Sequence, residues 1–337
     1  MSVYIIAEVG PNHNGSLALA KKYVDQIKKT KANAIKFQLA NTEEVYSLDS
    51  FKAKYQKKND GKQSIIKMSK KNQLSKKNHL KLSAYCKKKG LDYLCSAFDL
   101  NSLKFLVEKL KIKYVKIPSG EIFDKNTLNY LSKKNKKIFI STGMIDKKNL
   151  YKALKIINKN FTKKITLLHC VSKYPTDIES VNMKYMLKLK KDFNCDVGFS
   201  DHSLSKNTSL TAVALGAKVI EKHVTLNRNN KGPDHKISSE INEFNEITKN
   251  IREVEKILGL EKKIFDKGSK EIIKVARKSI VSKVKIKKNQ IVHKSILVYK
   301  RPGTGISPLD EKRIIGKYAK RDIPANRIIK LNMLKSK

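Results

Sequence analysis

Tryptophan is absent from the sequence, and cysteine is scarce, with four residues among 337. The four cysteines form no Cys-x-x-Cys pair, so the sequence offers neither a zinc ribbon nor a dithiol redox motif. In a chain of this length we expect them to be reduced and mostly buried, as is typical of cytoplasmic proteins. No apolar run approaches the roughly 20 residues that span a bilayer. The amino terminus lacks a basic segment followed by an apolar core, so we expect a cytoplasmic protein without a signal peptide.

Acidic residues and arginine are also few. The sequence has 74 basic and 30 acidic residues, a net charge of +44, yet only seven of the basic residues are arginine. This charge fits binding to nucleic acid or an anionic membrane, or else a solvated, lysine-rich surface. We favour the solvated surface, because the lysines are spread along the chain and nucleic-acid contacts usually concentrate arginine on one face. We therefore expect no specific nucleic acid and no membrane as partner, although the positive field would attract an anionic substrate.

Short apolar runs are plentiful and alternate with lysine-rich stretches of helical spacing. This alternation predicts βα units and a parallel sheet. Eight runs in about 260 residues predict a (β/α)₈ TIM barrel, an α/β fold. A doubly wound sheet is the alternative, but no Gly-x-Gly-x-x-Gly follows the first run. The runs are YIIAEV (4–9), AIKFQ (34–38), LDYLCSAF (91–98), YVKIPS (114–119), KIFISTG (137–143), ITLLHC (165–170), DVGFSDH (196–202) and VIEKHVTL (219–226).

The pattern changes after Gly259, which predicts a second domain. We expect a barrel over residues 1–260, a linker over 261–276 and a small, mainly β domain over 277–337. Within the barrel, residues 41–73 are polar and poorly periodic. A loop of this length after the second strand would lie on the catalytic face, where it could act as a lid or contact a substrate.

Polar residues end nearly every predicted strand. In a barrel the carboxyl ends of the strands meet on one face, so these side chains should form one polar site. The first strand ends on Glu8, and the turn residues of VGPNHNG (9–15) then carry the chain over the rim. The other strand-end residues are Lys36, Gln38, Ser96, Lys116, Ser119, Ser141, His169, Ser200, His202, Glu221 and His223.

Two of the seven histidines end consecutive strands, His202 and His223. They are either hydrogen-bonded core residues or a pair of metal ligands. With no cysteine near both, the metal would be hard or borderline, such as Mn²⁺ or Mg²⁺, completed by water and substrate oxygens. His79 and His293 are expected to be surface residues.

Lysines inside apolar strands need a charged partner. A bound phosphate or carboxylate would supply one for Lys36 and Lys116, and strand-end serines could add hydroxyl donors or simply bond locally. Asp234 follows the last strand in GPDH (232–235), where it would either reach the site or cap a helix.

Nine stretches of the sequence, in order from about residue 4 to 335, together resemble the bacterial sialic acid synthase family. Individually some are weak, but the set is specific. The resemblance implies a (β/α)₈ barrel followed by a small domain similar to type III antifreeze proteins. It also implies condensation of phosphoenolpyruvate with an N-acetylated hexosamine. The stretches are AEVGPNHNGSLALAK, IKFQ, KIPSGE, STGM, LLHCVSKYPT, GFSDHSLS, ALGAKVIEKHVTL, KGPDHKIS and YKRPGTGISP.

The resemblance also implies roles for individual residues. Glu8 would lie next to the reacting atoms, and His202 and His223 would hold the metal, with Mn²⁺ expected and Mg²⁺ or Co²⁺ as alternatives. Arg301 would contact the sugar's N-acetyl group from the other subunit of a domain-swapped homodimer. Phosphoenolpyruvate would contact Lys36, Ser96, Lys116, Ser141, Ser172 and Ser200, together with His202. The other sugar contacts would be Gln38, Glu121, Tyr174 and Asp234.

Two departures from the family pattern concern hydroxyl donors. No proline follows Ser96, and Val171–Ser172 stands where related sequences often have Thr followed by Asn or Thr. Ser172 can still donate, but with a shorter reach.

Several functions remain open at this point. The main expectation is synthesis of N-acetylneuraminate from N-acetylmannosamine. The nearest alternative is the same reaction on 2,4-diacetamido-trideoxymannose, which would give N,N'-diacetyllegionaminate. Two alternatives belong to other functional classes. A basic nucleic-acid-binding function would not explain the polar residues at the strand ends. A non-catalytic sugar-binding protein would not need the two lysines and the two histidines together.

Overall fold

The computed structural model describes residues 2–157 and 164–336, in two compact units that divide after Gly259. In the first unit, eight parallel strands each pair with the next, and the eighth pairs with the first. This closed arrangement confirms the predicted (β/α)₈ barrel, and the doubly wound alternative is wrong. The strands are β1 Tyr4–Glu8, β2 Ala34–Leu39, β3 Asp92–Ala97, β4 Tyr114–Ile117, β5 Lys137–Ser141, β6 Ile165–His169, β7 Asp196–Asp201 and β8 Val219–Thr225.

Helices follow the strands and cover the outside of the barrel. They bury Leu, Ile and Phe against the strands and expose lysines, as their spacing predicts. Ser16, Ser75 and Asp124 begin three of them as N-caps, each accepting a backbone N–H. These helices are α1 Leu17–Ile27, α5 Lys76–Lys88, α6 Leu100–Lys104 with a π turn Phe105–Lys109, α7 Lys125–Ser132, α8 Lys147–Ile157, α9 Lys184–Phe193, α10 Asn207–Ala214 and α11 Ile241–Leu258.

The segment 41–73, predicted as one long polar loop, contains three short helices. Helices this short carry too little periodicity to be recognised from sequence. They are α2 Thr42–Val45, α3 Lys54–Asp60 and α4 Ile65–Asn72, and a short strand β9 (Ser239–Glu240) precedes α11.

The barrel interior is divided into an apolar and a polar half. Side chains of a strand alternate between its two faces, so residues two apart point the same way. Near the amino ends of the strands, the inward side chains pack as an apolar cluster. Polar side chains take the inward positions two and four residues later. The apolar cluster contains Ile6, Ala34, Leu94, Phe139, Leu168 and Val219.

His79 corrects one expectation. It lies on α5, is completely buried and contacts the Tyr93 hydroxyl through Nδ1 at 2.6 Å, so it is not a surface residue. His79 lies on the same buried face of α5 as Leu82 and Cys86, and this face packs against the barrel. His293 is exposed, as expected.

The second unit, residues 260–337, has its own small core. Strands β10 (Ser279–Ser282) and β11 (Leu297–Lys300) pair antiparallel, as do β12 (Tyr318–Ala319) and β13 (Leu334–Lys335). The segment expected as a linker contains helix α12, Lys267–Ala276. Over residues 2–157 and 164–336, none of the helices has the length and hydropathy to cross a membrane.

Candidate active site

A cavity of about 290 Å³ opens at the carboxyl ends of the barrel strands. Twelve of the fourteen side chains to which the resemblance assigns roles line this cavity. They come from different strands and loops, and the closed barrel is what brings them together. The twelve are Glu8, Lys36, Gln38, Ser96, Lys116, Glu121, Ser141, Tyr174, Ser200, His202, His223 and Asp234.

Two buried lysines form the floor of the cavity with a carboxylate between them. Lys36 Nζ lies 3.0 Å from Glu221 Oε2 and 3.4 Å from Glu8 Oε2. Lys116 Nζ lies 3.5 Å from Glu221 Oε1. The ammonium groups also donate to Ser96 Oγ at 3.2 Å and to Ser141 Oγ at 2.7 Å. Each lysine therefore contacts a hydroxyl group that can in turn donate to a bound anion.

The charges in this cluster are set by burial and by the lysines. Burial opposes ionisation of Glu221, but Lys116 and Lys36 outweigh it and hold the pKa of Glu221 below its usual range. Burial raises the pKa of Glu8 to about 7, against the influence of Lys36. Burial lowers the pKa of Lys116, whereas Glu221 and Glu8 overcome burial and raise that of Lys36. Two cations thus face one firmly ionised carboxylate and one that is near half protonation at neutral pH.

Three polar side chains converge around Gly10, just after β1. Gln38 Nε2 donates to Glu8 Oε1 at 2.9 Å. A Cβ atom placed on Gly10 would lie 3.2 Å from Gln38 Nε2, 3.3 Å from Glu8 Oε1 and 3.5 Å from Asp234 Oδ2. Gly10 also has φ of +54°, a conformation that favours glycine. The turn after Glu8 therefore leaves room for these three groups to meet.

The outer part of the cavity combines carboxyl groups and aromatic rings. Burial raises the pKa of Asp234 to about 7, and burial with help from Asp124 raises that of Glu121 to about 7. The Tyr174 ring packs on His202 with centroids 4.3 Å apart and stacks on Tyr55 at 5.2 Å. Groups that exchange protons near neutral pH thus lie beside apolar surface.

The two strand-end histidines lie side by side, with ring centroids 5.7 Å apart. His202 Nδ1 donates to the Val171 carbonyl at 2.8 Å, so its Nε2 carries the lone pair and lies 3.4 Å from Ser200 Oγ. His223 Nδ1 is buried, has no hydrogen-bond partner among the residues that the structure describes and lies 4.0 Å from Asp234 Oδ2. Burial lowers the pKa of both rings, that of His202 to about 4, so both are neutral, as metal ligands must be.

These features fit a divalent cation that is held by two imidazoles and completed by oxygen ligands. Among the residues that the structure describes, no three His, Cys, Asp or Glu side chains form a ready-made metal cage. The remaining ligands would have to be water and substrate oxygens, as the sequence suggests for Mn²⁺ or Mg²⁺.

The strand-end residue His169 is not among those that line the cavity, because its neighbour Leu168 points into the barrel and its own Nε2 contacts the Val181 carbonyl at 2.7 Å. Two of the residues proposed by resemblance are also not among them. Ser172 lies beside Gly143, and its buried Oγ has no hydrogen-bond partner within residues 2–157 and 164–336. The chain has already left β6 at this point, and the Cys170 side chain lines the cavity instead. Arg301 belongs to the second unit, where its Nε donates to the Ala276 carbonyl at 2.9 Å. Their proposed substrate contacts remain predictions.

Sequence reasoning overlooked the role of Glu221, although it noted this residue as a strand end. The available signal was the two-residue alternation, since Glu221 precedes His223 as Ser200 precedes His202. Ser200 Oγ in fact donates to Glu221 Oε1 at 3.0 Å. Tyr46 and Tyr55, from the segment 41–73, also line the cavity and were not anticipated.

The fold and this site define a barrel synthase followed by a small separate domain, and the comparisons with known proteins agree. Residues 23–263 match the NeuB family, and residues 277–335 match the SAF domain. The chain belongs to the NeuB family, the sialic acid synthases, and is an enzyme of that family.

Relatives with assigned functions cover nearly the whole chain. The chain is 41% identical to N,N'-diacetyllegionaminic acid synthase of Campylobacter jejuni, over 97% of this chain and 98% of that protein. It is 36% identical to the Legionella pneumophila protein of the same name, over 96% and 92%. The solved N-acetylneuraminic acid (sialic acid) synthetase of Leptospira borgpetersenii is 32% identical, with a TM-score of 0.72, over 81% of this chain and 90% of that one.

Proposed function

We propose that the protein condenses phosphoenolpyruvate with the open-chain aldehyde of 2,4-diacetamido-trideoxymannose to give N,N'-diacetyllegionaminate and phosphate. Full-length similarity to the Campylobacter and Legionella synthases supports this sugar over N-acetylmannosamine, which was the main expectation from sequence.

The free, buried cysteines support a cytoplasmic location.

The lysine pair on the cavity floor is the observation that carries the proposal. Phosphoenolpyruvate has about three negative charges, so holding it requires cations and hydroxyl donors together. Lys36 and Lys116 are the cations, and Ser96, Ser141 and Ser200 surround them. Glu221 and Glu8 offset only part of this positive charge, because the pKa of Glu8 is raised, and a neutral sugar would add no further charged partner.

The outer wall of the cavity suits a sugar that has lost hydroxyl groups and gained acetamido groups. It includes six aromatic and thioether side chains beside polar ones such as Gln56 and Asn72, and aromatic and thioether groups pack well against methyl groups. The two acetamido groups and the deoxy carbon of the proposed substrate present three such methyls. The wall includes Tyr46, Tyr55, Met68, Phe98, Met144 and Tyr174.

The reaction forms one carbon–carbon bond and, at C2, replaces the bond to the phosphate oxygen by a bond to the oxygen of water. C3 of the enol attacks the aldehyde carbon, water adds at C2, and the tetrahedral intermediate expels phosphate to leave the α-keto acid. A divalent metal bound by His202 and His223 would polarise the aldehyde as a Lewis acid. Glu8, with its raised pKa, can take a proton from the attacking water, and Asp234 can supply one to the new hydroxyl.

We further propose a homodimer in which the small domain of one chain covers the barrel of the other. A cover over the cavity would exclude water from the reacting groups. Arg301 lies in the turn RPGTG and is exposed, so its guanidinium is available to an acetamido carbonyl.

Phosphate release tests the proposal. We expect release only when phosphoenolpyruvate, the diacetamido sugar and Mn²⁺ are all present, with EDTA abolishing it. His223→Ala should be folded and inactive, whereas the matched surface variant His293→Ala should be fully active. Turnover by EDTA-treated His223→Ala protein would contradict the metal assignment, and no phosphate release with any acetamido sugar would contradict the function.

A further inference from the structure

A buried ion pair lies on the outer face of the barrel, directly behind the two histidines. Lys222 Nζ contacts Asp201 Oδ2 at 2.8 Å, and both side chains are about 1% exposed or less. The two residues are register partners on β8 and β7. Neither lines the cavity, because adjacent residues of a strand point to opposite faces.

Hydrogen bonds around the pair connect three elements. Asp201 Oδ2 accepts from Thr208 Oγ1 at 2.7 Å and from Ser209 Oγ at 2.8 Å, both on α10. Asp201 Oδ1 accepts from the backbone N–H and hydroxyl of Ser203, at 2.9 and 2.7 Å. Lys222 Nζ donates to the Ser203 carbonyl at 2.8 Å and to the Ser205 carbonyl at 3.3 Å. The pair thus ties β8 to the turn that leaves β7, and ties β7 to α10.

Each member of the pair is the chain neighbour of one histidine. Asp201 precedes His202 and Lys222 precedes His223. Fixing the backbone at 201 and 222 therefore fixes how far apart the two imidazoles project into the cavity. The Val171 carbonyl orients the ring of His202. The His223 ring nitrogen Nδ1 has no hydrogen-bond partner in the described residues, so its position depends on the backbone.

Stability alone does not call for this arrangement. A buried ion pair is often no more stabilising than two apolar side chains of the same volume, because both charges lose their hydration. What an ion pair with a full set of hydrogen bonds adds is a single geometry. We infer that Asp201 and Lys222 are positioning residues that hold His202 and His223 at the separation a divalent cation requires. The inference rests on the metal assignment in the proposed function.

Mn²⁺ binding to the full chain without substrates, followed by electron paramagnetic resonance of the free ion, tests the inference. The double variant Asp201→Asn/Lys222→Met removes both charges with little change of volume, and the asparagine can still bond the surrounding hydroxyls. Outer-shell changes commonly cost ten- to a hundredfold in metal affinity, so we expect the dissociation constant to rise about tenfold or more.

Two further variants make the result decisive. Arg252→Met/Glu255→Gln removes an ion pair that bonds Val3 at the amino ends of the strands and should leave Mn²⁺ affinity unchanged. Ser209→Ala removes one hydrogen bond to Asp201, keeps the ion pair and should weaken Mn²⁺ binding severalfold even if the double variant does not fold. Wild-type affinity in Ser209→Ala, or in the folded double variant, would overturn the inference. No Mn²⁺ binding by the wild-type chain would overturn the metal assignment and the inference with it.

Discussion

Gly10 shows how tightly single residues constrain the site. A methyl carbon added at this position would lie 3.2–3.5 Å from its three nearest side-chain atoms. Because Glu8, Gln38 and Asp234 meet there, a small displacement would move both groups that we expect to exchange protons. The turn after β1 is therefore part of the site and not only a connection.

We predict that Gly10→Ala lowers kcat by about tenfold or more while the protein stays folded. The positive φ costs an L-residue roughly 1–2 kcal/mol, and the methyl group would push Gln38 and the Glu8 carboxyl group aside, whereas Asp234 lies at ordinary contact distance. Gly216→Ala is the matched control, since Gly216 has φ of +94° and no atom of the described part of the chain lies within 4 Å of its added Cβ. Equal activity of the two variants would show that the space at Gly10 is not needed.

Lys116 should determine affinity for the anion. Lys116→Met removes the charge, and a charge-assisted contact contributes about 1.5–3 kcal/mol, so the KM for phosphoenolpyruvate should rise roughly tenfold or more. The KM for the sugar should change much less. Lys113 is exposed and directly precedes β4, at the opposite end of that strand from the cavity. Lys113→Met should therefore have the same KM values as wild type. Equal effects on both substrates would mean that Lys116 has a structural role.

The sequence predicts which residues reach the site better than it predicts their partners. Strand-end position was enough to predict that Lys36, Lys116, His202 and His223 lie together. The ion pairs of Glu221 depend on distances between strands that are separate in sequence, so no local pattern reveals them. Ser172 was proposed by resemblance alone, and only the course of the chain after β6 shows that it leaves the cavity wall.

At the scale of elements, the eight strands were predictable because each is a short apolar run between helices. The helices of segment 41–73 were not, since their stability comes from packing at the mouth of the cavity. Asn59 Nδ2 donates to the Pro233 carbonyl at 2.9 Å, and Tyr55 stacks on Tyr174. Such contacts are long-range and leave no periodic signal.

Helix α5 should make the barrel sensitive to acid through His79. Burial lowers the pKa of His79 to about 4, whereas an unfolded histidine titrates near 6.5. The unfolded chain therefore takes up a proton first, and stability is lost as pH falls from about 6.5 toward 4. His79→Asn keeps an acceptor for the Tyr93 hydroxyl. It should reduce the slope of unfolding free energy against pH by about 1.4 kcal/mol per pH unit.

Urea unfolding at several pH values between 4.5 and 7 measures this slope. His293→Asn, at an exposed position, should leave it unchanged. An unchanged slope in His79→Asn would show that His79 is protonated in the folded protein.

At the scale of the whole molecule, the proposed homodimer predicts that each active site combines the barrel of one chain with the small domain of the other. Arg301→Ala and His223→Ala should each be nearly inactive. After subunit exchange, a mixture should recover about a quarter of wild-type activity, because half of the dimers are mixed and each mixed dimer has one intact site.

Exchange is verified by light scattering and by mass spectrometry of differently tagged chains. No recovery after verified exchange, or a monomer in solution, would contradict the shared site. Neither result would change the chemistry assigned to the barrel.

A competition between sugars tests the central claim most directly. The protein is incubated with Mn²⁺, limiting phosphoenolpyruvate and equal concentrations of N-acetylmannosamine and 2,4-diacetamido-trideoxymannose, and the products are identified by mass. We predict that N,N'-diacetyllegionaminate dominates and that phosphate is released in equal amount. Predominant N-acetylneuraminate, or consumption of phosphoenolpyruvate without either product, would contradict the account.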